Sequence, residues 1–392
     1  MLIHQDKADR FQRNDCTLDE LAALTQYPSR IEDFPLAKEV VKGVPIYDCH
    51  ALRQLIAKGT LGGNALMAEW VQVWQSGPGV LVLQGLYDDA AVIDSATDSF
   101  QQLIASEKKS GSGADHFAKP GANDRVWNAL EKFCLLSPEN FANYYSNTLL
   151  ALVCQAWLGP AYQITSQVNC VNPGGAAQMA HRDYHLGFLT AQQGAQYPEH
   201  VHQYSPYLTL QGAIAHVDMP LESGPTLYLP HSQKFAHGYL AAGNPDFQAF
   251  FDTNHIQLPL KKGDAVFFNP ALMHAAGTNT SSDIYRLANL LQVSCAFGRA
   301  METVDRVRMA SALYPTLLEM QANSLLASDQ LACAVAATAE GYAFPTNLDR
   351  DPPIGGLAPE SQQGMMLRAM QERWSTETFE QAQQTMARKK LS

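Results

Sequence analysis

Between residues 162 and 297 the chain consists of short apolar runs broken by glycine and proline, and this spacing constrains its fold more than any other feature. The runs 163–171, 207–217, 226–229, 265–268 and 286–296 are rich in β-branched and aromatic residues, and turn-formers such as Asn172-Pro173-Gly174-Gly175 and Glu222-Ser223-Gly224-Pro225 separate them. Several short strands with no regular helix between them predict a jelly roll or barrel. On both sides the pattern changes to apolar residues every three or four positions, at 18–25, 51–56, 65–75, 90–104 and 139–158 before, and at 314–327, 330–339 and 359–386 after. One short strand, 80–83, interrupts the first helical part, and the Gly, Ser and Lys of 108–124 predict a mobile loop. The expected fold is therefore a mainly β core with flanking helices (α+β): a double-stranded β-helix, or jelly roll, wrapped by N- and C-terminal helices. Its expected parts are an N-terminal helical extension at 1–64, the β-helix domain with its supporting helices at 65–300, and a C-terminal helical extension packed on the core at 301–392.

Composition narrows the partners. A net charge of −11 with only 27 Lys and Arg argues against nucleic acid, which needs clustered cations. No apolar window is long enough to cross a membrane, and Met1-Leu2-Ile3-His4-Gln5-Asp6 lacks a basic-then-apolar leader pattern, so a cytoplasmic location is expected. Seven cysteines, odd in number, scattered and never spaced Cys-x-x-Cys, read as reduced core thiols. The expected partner is a small-molecule substrate. Oligomeric state is not legible.

The chemistry lies in His181-Arg182-Asp183-Tyr184-His185. His181 and Asp183 are two residues apart, so on an extended segment both point one way and Arg182 points the other. His-x-Asp occurs three times, and position chooses among them. His4-Gln5-Asp6 sits in a polar terminal stretch, and His216-Val217-Asp218 reads as a half-buried strand histidine beside a loop aspartate. His181 follows a strong chain reversal, where a metal site needs to be. His274, set among Ala275-Ala276-Gly277, can supply a third ligand from a distant strand. Two imidazoles and a carboxylate on one face of Fe(II) leave room for a bidentate cosubstrate and O₂. If that cosubstrate is 2-oxoglutarate, its remote carboxylate needs a fixed cation, and Arg286 suits the role, although a surface pair with Asp283 is the plainer alternative.

The order of these segments resembles the phytanoyl-CoA dioxygenase family of Fe(II)/2-oxoglutarate oxygenases: His181-Arg182-Asp183-Tyr184-His185, Glu222-Ser223-Gly224-Pro225, Leu229-Pro230-His231-Ser232, Gly263-Asp264, then His274-Ala275-Ala276-Gly277-Thr278-Asn279 and Arg286. It covers roughly residues 65 to 300. The resemblance implies Fe(II), 2-oxoglutarate and O₂ as cofactors, with His181, Asp183 and His274 on the metal and Arg286 on 2-oxoglutarate. It also implies that Gln211 lines the cosubstrate pocket, where relatives often carry an aromatic residue. Two further departures stand out. The usual Pro-Gly-Ser-His turn appears as Pro230-His231-Ser232-Gln233, and 192–203 looks like an insertion, read as a solvated loop or a lid, whose His200 and His202 offer a tempting second metal pair. Related halogenases replace the carboxylate with a small residue, so Asp183 favours hydroxylation of an unactivated C–H bond in a small organic or acyl substrate. Two competing readings are a noncatalytic jelly-roll module that holds a metal or ligand, and a metal-dependent isomerase or hydrolase on the same ligands. Tyr184, His185 and Asn169 are the candidates for substrate contact. A CoA thioester is not assumed, because no basic cluster near the core is evident to meet its phosphates.

Overall fold

Strand-forming residues gather into two sheets. In the computed structural model, which describes residues 10–110, 119 and 121–392, the strands are β1 (Glu39–Val41), β2 (Val44–Asp48), β3 (Val80–Gln84), β4 (Asn123–Val126), β5 (Gln163–Val171), β6 (Thr209–Ala215), β7 (Leu227–Tyr228), β8 (Ile256–Gln257), β9 (Ala265–Phe268), β10 (His274–Ala275) and β11 (Arg286–Ser294). Eight of them form a mixed sheet in the order β1-β2-β3-β9-β6-β11-β5-β4, and three form a small sheet in the order β10-β7-β8. A large and a small sheet with flanking helices is the jelly roll that the strand spacing predicts. The apolar runs Val80-Leu81-Val82-Leu83 and Ala265-Val266-Phe267-Phe268 are buried along their length, as expected of central strands, and β9 pairs antiparallel with both β3 and β6.

Several elements differ from the sequence reading, each for a local reason. Residues 39–48, inside a stretch read as helical, form β1 and β2; their runs are too short for a helix and turn at Lys42-Gly43, both at positive φ. The stretch 139–158 is two helices, Pro138–Tyr145 and Thr148–Leu158, because the Asn147 side chain accepts from Leu149 N and Leu150 N and starts a new helix there. The same capping by Ser375 divides 359–386 into Gln362–Glu372 and Thr376–Lys389. A helix also stands among the strands, Pro245–Asn254, started by the Asn244 cap and a proline in its first turn. The last part of the chain begins its first helix earlier than read, at Arg306–Ala322, capped by Asp305. His4-Gln5-Asp6, and 111–118 and 120 of the expected loop, lie outside the described residues.

By its contacts the chain divides into two compact units. The first comprises the described residues of 10–86, 119–124 and 169–288, and holds every candidate site residue. Its core includes Trp70 and Trp74, whose indole N–H donates to Phe267 O at 3.2 Å, and a cluster of Leu21, Ala180, Leu229, Phe235, Phe247, Phe251 and Met273. The second comprises 87–110, 125–168 and 289–392. Buried rings of Phe100, Phe133, Phe141, Tyr144 and Tyr145 fill it, and Tyr314 stacks on Phe379 at 4.0 Å. Among the described residues no helix is long and apolar enough to cross a membrane.

Candidate metal and cosubstrate site

Backbone pairing brings the two histidines together. His181 N donates to His274 O at 2.9 Å and His274 N donates back to His181 O at 3.1 Å, a reciprocal pair that sets the two residues directly opposite each other. Asp183 N donates to Pro270 O at 2.9 Å and ties the next ligand position to the same partner segment. The donor atoms of His181, Asp183 and His274 then lie within 4.8 Å of one another. His181 Nε2 stands 3.7 Å from one Asp183 oxygen and His274 Nε2 3.5 Å from the other.

Both imidazoles are held in the tautomer a metal needs. His181 Nδ1 is 2.8 Å from Met179 O, and His274 Nδ1 is 2.8 Å from Leu272 O. A carbonyl can only accept, so each Nδ1 donates to it, and Nε2, the ring atom that faces Asp183, is the one placed to bind a metal. Burial pushes the Asp183 carboxyl up, but His274, His181 and the Gln211 amide beside it outweigh burial and hold the group well below the usual carboxylate range. It is therefore a carboxylate at neutral pH. No thiolate belongs to the set, and nitrogen and oxygen donors of this kind suit Fe(II).

Arg182 points away from the cluster, as alternation requires, and its guanidinium donates to Ser232 O. It lies over the Tyr239 ring at 5.5 Å and against Gly238, where an added Cβ would sit 1.8 Å from the guanidinium carbon. Ser232 Oγ in turn accepts from Met273 N at 2.8 Å, so the Ser232 turn ties the segments that carry Asp183 and His274.

Arg286 begins β11 and is 7% exposed, which removes the surface pair with Asp283 as an account of it. Its Nη1 donates to Ser223 O at 3.3 Å, and among the described residues no carboxylate pairs with it. Ser223 sits in a turn whose next residue, Gly224, has φ +71° and a Cβ position only 2.3 Å from Thr278 O, so only glycine fits there. Burial lowers the guanidinium to about 10, which leaves it charged at neutral pH.

Gln211 touches the metal cluster: its amide donates to Asp183 Oδ2 at 2.5 Å. Sequence reasoning missed two rings beside it. Phe268, opposite Gln211 in the β6–β9 register, lies 4.7 Å from the His274 ring, and Tyr228, opposite His274 in the β7–β10 register, lies 5.2 Å from Phe268. Alternation along β9 was the available signal for Phe268. Tyr184 is buried and His185 half-buried, both with left-handed backbones (φ +72° and +45°), so the chain turns sharply after Asp183. Asn169 is buried on β5, and its Oδ1 has no hydrogen-bond partner among the described residues.

The remaining histidine readings are corrected. His216 is fully buried rather than half-buried, and its neighbour Asp218 pairs with Lys261 at 2.9 Å. The stretch 192–203 is no simple solvated loop. It contains the short helices Ala191–Gly194 and Glu199–Tyr204, with His202 buried and its Nε2 3.0 Å from Gly194 O. Among the described residues neither His200 nor His202 joins a metal-ligating group.

A sequence model described as phytanoyl-CoA dioxygenase (PhyH) matches residues 64–288, more than half of the 392. The chain belongs to the phytanoyl-CoA dioxygenase family. As in that family, its cofactors are Fe(II), 2-oxoglutarate as cosubstrate, and O₂. Solved structures similar in backbone course include the non-heme alpha-ketoglutarate-dependent epimerase SnoN from nogalamycin biosynthesis, at 17% identity and a TM-score of 0.43 over 59% of this chain and 84% of that one. AviO1 from Streptomyces viridochromogenes Tue57 is similar at 16% identity and 0.42, over 59% and 96%. The carbocyclase SnoK, also from nogalamycin biosynthesis, follows at 19% and 0.39, over 60% and 87%. A comparison with curated proteins finds no match.

Proposed function

We propose that the chain is an Fe(II)/2-oxoglutarate-dependent dioxygenase that hydroxylates an unactivated C–H bond of a small organic or acyl substrate, releasing succinate and CO₂. The observation that carries this reading is the meeting of ligand atoms of His181, Asp183 and His274 within 4.8 Å of one another, with both Nδ1 atoms tied to carbonyls. In this reading those three side chains hold the metal. Iron bound there supplies activation of O₂ for attack on the substrate C–H bond. Arg286 grips the far carboxylate of 2-oxoglutarate with its guanidinium fork, and its lack of a carboxylate partner supports that role. Gln211 fixes the orientation of Asp183 rather than touching cosubstrate directly. Asn169 offers an open acceptor to substrate, and Tyr184 and His185 stand next to the metal carboxylate in sequence. The carboxylate at position 183 supports hydroxylation over halogenation, and seven unbridged cysteines support a reducing, cytoplasmic setting.

Anaerobic titration of the protein with Fe(II) and then 2-oxoglutarate tests the site: a weak visible charge-transfer band is expected, and its absence in folded protein would count against the reading. A succinate-release screen across acyl thioesters, free acids and amino-acid derivatives tests the reaction. Mass spectrometry should find products heavier by one oxygen; succinate release without that gain would point to another reaction on the same centre.

A further inference from the structure

Ala180, the residue before His181, has its main chain held by a side chain 68 positions downstream. His181 uses both of its backbone groups on His274, so in an antiparallel pair those of Ala180 point the other way, off the edge of that rung. Ala180 is 6% exposed, and a buried N–H and C=O without partners would be costly. One amide meets both. Ala180 N donates to Gln248 Oε1 at 3.1 Å, and Gln248 Nε2 donates to Ala180 O at 2.7 Å. Gln248 Nε2 also donates to Ala242 O, so the oxygen and both hydrogens of the amide are engaged and only one of its two orientations serves. Gln248 lies in the helix Pro245–Asn254, whose Phe247 and Phe251 are buried in the same cluster as Ala180 and Met273.

The same peptide group faces the imidazole. Met179 O and Ala180 N are the two ends of one peptide, and Met179 O accepts from His181 Nδ1 at 2.8 Å. A chain of hydrogen bonds therefore runs from the Gln248 oxygen through that peptide to the His181 ring. Accepting the N–H at one end of a peptide polarises it and makes the carbonyl at the other end a better acceptor. A ring whose Nδ1–H is drawn more strongly is a better donor at Nε2, and its orientation is fixed. His274 is built alike. Its Nδ1 donates to Leu272 O, and the N–H of the same 272–273 peptide, that of Met273, donates to Ser232 Oγ at 2.8 Å. Two histidines from distant segments thus share one arrangement, with a side-chain oxygen at the far end of each.

We propose that Gln248 is a positioning residue for the iron site, acting through the 179–180 peptide on the orientation and donor strength of the His181 imidazole. Ser232 is its counterpart for His274. The inference rests on the reading of His181 as a metal ligand.

The test titrates the full chain with Fe(II) in the absence of oxygen, and uses Co(II) as a probe whose paramagnetism moves the ring N–H signals of ligating histidines clear of the rest of the proton NMR spectrum. Gln248→Met keeps the length and removes the amide, so it should weaken Fe(II) about tenfold and alter the position or water exchange of one histidine N–H signal while the other stays. Ser232→Ala should disturb that other signal. Gln248→Asn, one methylene too short to reach Ala180, is a second way to break the contact and should behave as Gln248→Met does. Gln248→Glu keeps an oxygen for Ala180 N, so it should bind Fe(II) within about threefold of the parent, although its carboxylate faces two carbonyls and lowers stability. A merely structural role would let the Glu variant lose iron along with stability. Parent-like Fe(II) affinity or unmoved N–H signals in both Gln248→Met and Gln248→Asn, or a loss in Gln248→Glu equal to theirs, would overturn the proposal. His181→Ala binding Fe(II) as tightly as the parent would instead overturn the ligand reading beneath it.

Discussion

Two arginines largely withdrawn from solvent, one in each compact unit, show how differently a chain can treat the same guanidinium. In the second unit Arg306 donates to Ile164 O at 3.0 Å, Thr338 O at 3.2 Å and Ala337 O at 3.4 Å, with Glu340 at 3.9 Å. Its own fold completes it. In the first unit Arg286 is buried too, but among the described residues it meets a single backbone carbonyl and no carboxylate. A buried charge left without a counter-ion is costly, so it persists where an anion arrives from outside. Arg306 is read as structural and Arg286 as functional, although both carry the same side chain.

The largest effect that would break this contrast lies at the metal cluster. His181→Ala and Asp183→Ala should each abolish iron binding and turnover, while His216→Ala, in the other described His-x-Asp, should lose stability through its buried site and keep both activities; iron content and succinate release measure this. Next come the two arginines themselves. Arg286→Met should weaken 2-oxoglutarate roughly a hundredfold with little loss of stability. Arg306→Met should cost about 3 kcal/mol in stability with 2-oxoglutarate affinity unchanged. Cosubstrate titration and urea unfolding of the pair would show the double dissociation, and equal behaviour of the two variants would end the distinction.

A smaller effect is expected at Gln211. Gln211→Leu should weaken iron by about 10–100-fold, as loss of a group that orients a ligand does. Iron titration measures it, while an effect confined to 2-oxoglutarate would return Gln211 to the cosubstrate pocket. The smallest effect concerns a buried group that, unlike the arginines, gives up its charge. His231 titrates near 4 in the fold against 6.5 unfolded, so the unfolded chain binds more protons between those values. Its share of stability is whole above pH 6.5 and is lost as pH falls toward 4, on the order of 2 kcal/mol at full protonation. Unfolding at pH 7 and 4.5 should show a shallower loss in His231→Gly than in the parent.

Much of this was legible in the chain. The helix Leu18–Thr25 and the strands β5 and β9 coincide with their apolar runs, because burial of a periodic face is a local property of the sequence. The jelly roll followed from strand spacing, and proximity of His181 to Asp183 followed from alternation. What stayed hidden depends on distant partners or on backbone angles. The Gln211 contact with Asp183 is made by β-sheet register, not by any motif. The left-handed Tyr184 and His185 carry no mark in residue type, since bulky side chains seldom adopt that conformation. Burial of Arg286 rests on the Ser223 turn 63 residues earlier, which sequence order does not reveal.

The reciprocal backbone pair between His181 and His274 has a further consequence. Two of the three candidate ligands hang from one rung of main chain, closed by hydrogen bonds that involve no metal. Iron therefore does not have to gather its ligands from a collapsed loop, and stripping it with a chelator should leave far-ultraviolet circular dichroism unchanged. Reloading should be limited by entry of the ion rather than by refolding of the chain.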